Sequence, residues 1–189
     1  MTDQYVILHS APTLAGLKTG NLFSFESVSR EEACREIRTL NRMLSQKGLR
    51  AVPIKQKGRW TLLYLYRPQY LERDLHHPLA IQILKDRGYS CISSNHCLIE
   101  LILCFAKGRE FPHEIGLFLG YPPEDVLAFI KNPCDGVQCT GCWKAFKNQE
   151  KAQETFQKFQ RCTKIYQKAY KEGKTLKDLA VKSERGKKR

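Results

Sequence analysis

The segment "RWTLLYLYR" (59–67) constrains this chain more than any other. Read as a strand, it sets Trp60, Leu62 and Tyr64 on one side and Leu63 and Leu65 on the other, so both faces are apolar. A strand of that kind has to lie inside its sheet and be covered on both sides. The preceding "AVPIKQ" is joined to it through Lys57-Gly58, a hairpin signal. Pro53 in this partner cannot donate to a ladder, which assigns the partner to a sheet edge. Two further strands are expected, at "QYVILH" (4–9), which stops at Ala11-Pro12, and at "LFSFE" (22–26).

Between these pieces Ser29 and Glu32 form an S-x-x-E capping box ahead of Ala33, Ile37, Leu40, Met43 and Leu44, which recur at helical spacing until Gly48. From about residue 68 the pattern turns helical. Segments are expected near 68–76, 78–87, 94–107, 113–119, 122–131 and 148–171, punctuated by His77-Pro78, Gly88, Gly108, Pro122-Pro123 and Gly173. Thr175 can cap a last short helix, while "SERGKKR" is too polar to pack. The chain has 189 residues and no internal repeat, enough for one core without staples. The fold class read from this order is α+β: a small mixed β-sheet from the N-terminal third, packed against a predominantly helical C-terminal part. The division is a single domain over 1–173 and a basic, flexible tail over 174–189.

The N-terminal "MTDQYVILHSAPTLAG" has no basic stretch ahead of its apolar run, so it does not read as a secretory signal. The most apolar segment, "CLIELILCFA" (97–106), is about half the roughly 20 residues a span needs, and it carries Glu100. A cytoplasmic protein without a membrane segment is expected. In that compartment its eight cysteines are expected as thiols, and clustered ones point to metal or redox work. The net charge of +13 is lopsided, because residues 144–189 hold fifteen Lys or Arg against five Asp or Glu. A basic end of this sort is a solvated surface or a contact for an acidic partner such as nucleic acid.

The densest cysteine stretch is "NPCDGVQCTGCWKAF" (132–146). Cys134-x4-Cys139-x2-Cys142, with Cys162 further on, has the ligand spacing of plant-type [2Fe–2S] proteins, and Gly136 and Gly141 let a loop wrap a cluster. The same four residues suit a tetrahedral zinc site. Cys139 and Cys142 alone could be a redox dithiol, although the following "WKAF" reads as extended and not as the helix that lowers such a thiol's pKa. All of them could also be unligated thiols. Along 148–171 Ala152, Phe156, Phe159, Cys162, Tyr166 and Tyr170 form one apolar stripe. An extended 143–147 leads roughly 17 Å away from Cys142. The helix from 148 to 162 returns about 21 Å. Reach to the loop is therefore allowed.

Elsewhere the "AGLKTGN" loop after the first expected strand offers Lys18 and Thr19, with His9 at the strand's end, as a functional loop. It is a partial match to a phosphate loop and lacks the first glycine. "HEIGLFLGYPPEDVLAFIKN" has a helix-turn-helix outline, but its second helix would open on Glu124 and Asp125, which repel phosphate. Nucleic acid would instead meet Lys182, Arg185, Lys187, Lys188 and Arg189. No nucleophile–base or acid–base pair is legible, so no reaction is assigned.

"LHSAPTLAGLKTGNLFS", "FPHEIGLFLGYPPEDVLAFI" and "CTGCWKAF" followed by "RCT" together resemble a family of small uncharacterised proteins of anaerobic, clostridia-type bacteria, a domain of unknown function. The resemblance covers nearly the whole chain. It implies a bacterial cytosolic protein and a Cys-x-Gly-x-Trp-Lys pattern, matched here by Cys139, Gly141, Trp143 and Lys144. It also implies a neighbourhood of iron transport and flavodoxin. Where that family has a cysteine this chain has Ser10. The function expected is a small accessory protein that holds a metal or an iron–sulfur cluster or zinc through Cys134, Cys139, Cys142 and Cys162. It would work beside a redox or iron-handling protein. The alternative is a nucleic-acid-associated regulator using the basic C-terminal segment.

Overall fold

The computed structural model describes residues 1–108 and 111–183. Two compact units emerge from it, one made of Met1–Pro68 with Cys162–Arg189, the other of Gln69–Arg161.

The first unit opens on helix α1 (Asp3–Leu14), where a strand was expected over 4–9. Thr2 caps it, accepting the Tyr5 N–H, and Asp3 sits in the first turn where the helix dipole favours an acid. Val6, Ile7, Ser10, Ala11 and Leu14 are all buried. That is a helical stripe, hidden in the sequence because two of its members are small. Pro12 lies in the last turn, where the bond it cannot make would have gone to Leu8, on the exposed side.

Strands β1 (Gly20–Glu26), β2 (Arg50–Lys57) and β3 (Trp60–Tyr66) form a sheet of order β1-β3-β2. Both pairings are antiparallel. With residues 4–9 in a helix, the sheet is wholly antiparallel where a mixed one was expected. β3 is central and β2 lies at an edge, with its register broken between Pro53 and Lys55, as a proline in a strand demands. The outer side of β2 is occupied by Asn41 of helix α2 (Arg30–Leu44), whose amide donates to the Ala51 carbonyl (2.7 Å) and accepts the Ala51 N–H (2.8 Å). Ser29 caps α2 as expected, while Glu32 reaches back to the Val28 N–H. Leu63 and Leu65 meet Phe23, Phe25, Ile37, Leu40, Leu44, Val6 and Ile7 in one core. Tyr64 and Tyr66, on the opposite face of β3, are also buried and stack at 4.7 Å.

The same core takes in Leu176 and Ala180 from the end of the chain. Leu176 opens helix α9 (Leu176–Leu179), held by a Thr175/Asp178 capping box; α1 to α9 are numbered along the chain. Residues 174–183, expected within the flexible tail, thus include core positions. Arg67, just past β3 and 1% exposed, fastens this segment. Its guanidinium donates to the carbonyls of Thr13, Leu14 and Val181 (2.7–2.8 Å) and to the Ser183 hydroxyl (2.6 Å).

The second unit is helical. It contains α3 (Pro68–Leu75), α4 (Pro78–Asp86), α5 (Ser94–Lys107), α6 (Ile115–Phe118) and α7 (Pro123–Lys131). A hairpin of β4 (Cys139–Thr140) and β5 (Lys144–Ala145) follows, then the start of α8 (Gln149–Lys171). α7 packs against α4, α6 and β5. Buried Glu114 accepts the Tyr89 hydroxyl (2.9 Å) and faces the Arg87 guanidinium (3.3 Å). Among the described residues no helix is long and apolar enough to cross a membrane.

Candidate functional site

The cysteine stretch folds as a pinned loop. Asn132 starts it with an Asx turn, its side-chain oxygen accepting the Cys134 and Asp135 N–H groups. Lys144 Nζ donates back to the Pro133 carbonyl at 2.8 Å. The Gln138 N–H donates to the Ala145 carbonyl, Cys139 pairs with Ala145 and Thr140 with Lys144, and the Gly141 N–H donates to the Trp143 carbonyl. Cys139 therefore lies on a strand and Cys142 at the tip of a three-residue turn.

One buried carboxylate holds this hairpin in place. Asp125, in the first turn of α7 and 3% exposed, accepts Trp143 Nε1–H (2.8 Å) and the N–H groups of Phe146 (2.9 Å) and Lys147 (3.1 Å). Trp143 stacks on Tyr121 at 5.1 Å and meets Phe156 edge-on at 4.5 Å. A Cβ on Gly141 would lie 2.3 Å from the Phe156 ring, so only glycine fits at that contact. Burial, and after it the nearby Cys142 thiol, pushes the Tyr121 hydroxyl above its usual range. A cleft of about 500 Å³ beside the loop is lined by Glu124, Asp125, Trp143, Lys147 and Lys151.

Of the four cysteines expected as ligands, the loop presents Cys134 and Cys142 exposed and Cys139 half-buried. Cys139 Sγ is 4.0 Å from the Gln149 carbonyl, at the first turn of α8. Cys162 is thirteen residues further along that helix, about 20 Å of rise, and is counted with the first unit. It is buried, and burial pushes its thiol up to about 11, which keeps it protonated at neutral pH. Among the described residues no three His, Cys, Asp or Glu side chains are grouped to hold a metal ion.

The other expected residues are placed as follows. His9 is on α1, not at a strand end, and its ring stacks on Phe23 at 5.5 Å and beside Tyr5 at 4.4 Å; partial burial lowers its pKa. Lys18 and Thr19 are buried in the α1–β1 connection, where the Lys18 N–H donates to the Pro12 carbonyl and the Thr19 carbonyl accepts the Arg67 N–H. Lys182 is exposed. Arg185, Lys187, Lys188 and Arg189 lie outside the described residues.

The model of a family described as "Protein of unknown function (DUF3793)" matches residues 6–180. The chain belongs to this family. No curated protein and no solved structure matches it. The matched span of the DUF3793 family includes most of α1, the Asp125-held loop, Cys162 and α9. Asp125 is the residue that sequence reasoning missed here. Its only local signal was an acid at the start of a helix, which reads as a dipole contact.

Proposed function

We propose that this DUF3793 protein is a small cytoplasmic accessory protein that binds a metal ion or an iron–sulfur centre through the thiolates of Cys134, Cys139 and Cys142, in iron or redox handling. The observation that supports the reading is a single backbone platform: three cysteines within nine positions of one loop, whose hairpin is fixed by three N–H groups donated to buried Asp125. Exposed Cys134 and Cys142 can turn about their side-chain bonds toward half-buried Cys139 when a metal arrives, since metal binding itself supplies free energy to gather ligands. Soft thiolates select zinc or iron over magnesium or calcium. The fourth position would then be taken by water or by a donor on a redox or iron-handling partner, while Cys162 stays a packing thiol.

Purification without oxygen, followed by assay of iron, zinc and acid-labile sulfide and a visible spectrum, tests this. Stoichiometric metal is expected, lost in Cys139→Ser/Cys142→Ser and retained in Cys162→Ser. Protein free of stoichiometric metal overturns the reading, and loss in Cys162→Ser restores the four-cysteine site.

A second reading is favoured by one feature of α8: Lys158, Arg161, Lys164, Lys168 and Lys171 are all exposed along one helix. Contacts of that kind bind nucleic acid through phosphate, without reading bases. Affinity for a mixed-sequence duplex should fall steeply with salt and weaken further when Lys158 and Arg161 become Gln. An affinity indifferent to both removes this alternative.

A further inference from the structure

The sheet of the first unit has two edges of different character. The β2 edge is guarded: Pro53 lies where its register breaks, Asn41 takes both the N–H and the carbonyl of Ala51, and Lys55 and Lys57 are exposed along it. Each of these is a device that keeps a sheet edge from pairing with another chain. β1 has none of them; its seven residues pair with β3 without a break and contain no proline. At its two ends the Thr19 carbonyl accepts the Arg67 N–H and the Ser27 N–H donates to the Arg59 carbonyl, both at 2.9 Å. These bonds fix the phase of the strand. Odd-numbered residues turn their backbone polar groups to β3, while Gly20, Leu22, Ser24 and Glu26 turn theirs outward. Among the described residues, the outward backbone groups of Leu22, Ser24 and Glu26 meet one partner, the Tyr5 hydroxyl, which donates to the Ser24 carbonyl (2.6 Å). Ser24 and Glu26 are exposed and Leu22 is half-buried. An apolar rim on α1 flanks the row: Tyr5 and His9 pack on Phe23, and exposed Leu8 lies one turn from Tyr5.

We propose that β1 is a dimerisation edge: the β1 strands of two copies of this chain pair antiparallel about a two-fold axis, joining two three-stranded sheets into one of six. Outward donors and acceptors recur at every second residue, the pattern that an antiparallel copy of the same strand satisfies. The occupant is a second copy and not a charged peptide, because the edge offers one charged side chain, Glu26, and Arg59 already pairs with it (3.1 Å). When the strands overlap fully, Phe23 lies at the axis, Leu22 meets Ser24 of the second copy and Glu26 meets Gly20. Like charges therefore do not face each other. An axis perpendicular to the sheet also sets the two α1 rims on the same side, where they lose water together. Because the β2 edge is guarded, one patch is used twice and growth stops at two copies, whereas two free edges would build a fibre. Tyr5 gives up its bond to Ser24 as the second strand arrives.

Sedimentation equilibrium of the full-length protein in reducing buffer, over a range of concentrations, reads the association. Residue-resolved amide exchange at the two ends of that range reads the edge. A species of twice the chain mass is expected to grow with concentration, and protection should rise with it at the Leu22, Ser24 and Glu26 amides. Ser24→Pro removes an outward N–H at an edge position that tolerates proline. Ser24→Lys keeps the N–H and places a charge there, so it reads the edge even where the proline disturbs folding. Each should weaken the dimer about tenfold or more. Tyr5→Phe, which clears the Ser24 carbonyl, should tighten it. A chain that stays monomeric throughout, an assembly that grows past two copies, or a dimer indifferent to both Ser24 substitutions overturns the proposal.

Discussion

At the scale of single residues, Asp125 and Gly141 carry the loop. Replacing Asp125 by Ala leaves three N–H donors without their acceptor, two of them on the backbone that enters α8. The expected loss is about 3 kcal/mol, read by urea denaturation, with Asn costing roughly half because one oxygen remains. Under the proposed function, a loosened loop should also lower metal affinity by about tenfold or more, as losing outer support of ligands commonly does. Gly141→Ala should cost about 1–3 kcal/mol, because the Phe156 ring must move and takes the contact with Trp143 along. A Gly141→Ala protein as stable as wild type would mean that the ring does not rest on the loop.

Among the elements, α9 is small and yet its removal should be felt throughout the first unit. A chain ending at 175 loses Leu176 and Ala180 from the core and, with Val181 and Ser183, two acceptors of Arg67. That should cost about 3–5 kcal/mol, since a buried cation is left partly unpaired. A chain ending at 183 keeps all of these contacts and should melt well above the one ending at 175; comparing the two midpoints checks it. The elements were legible where their pattern was local: the Ser29 cap, the β2–β3 hairpin with Pro53 at the edge, and the helices from 68 onward. α1 was not, because Tyr5-Val6-Ile7-Leu8 has strand composition while the residues that complete its buried stripe, Ser10 and Ala11, carry no hydrophobic signal. The loop's place was legible from its cysteines and glycines, but its anchor was not. Asp125 acts across 18 to 22 residues of chain, a separation that no period or spacing rule spans.

Taken whole, the molecule should be sensitive to alkali. Burial raises Tyr66, Tyr89, Tyr121 and Tyr166 above the usual tyrosine value, with Glu114 adding to the effect at Tyr89. Each folded-state value lies above the unfolded one, so stability is fully present below about pH 10 and declines above it, as the unfolded chain sheds protons that the folded chain retains. The slope approaches about 1.4 kcal/mol per pH unit for each tyrosine that ionises only when unfolded. Denaturation series from pH 9 to 11 should show the decline, and Tyr89→Phe should make it shallower; a flat profile would refute it.

The first unit is assembled from the two ends of the chain, while the second is a continuous run. On the ribosome these two cannot finish in order of their first residues. Met1–Pro68 emerges early, but the carbonyl of Val181 and the hydroxyl of Ser183 that accept from Arg67 follow it by 114 and 116 residues. The unit begun first is therefore closed last, once the whole of the second has been synthesised.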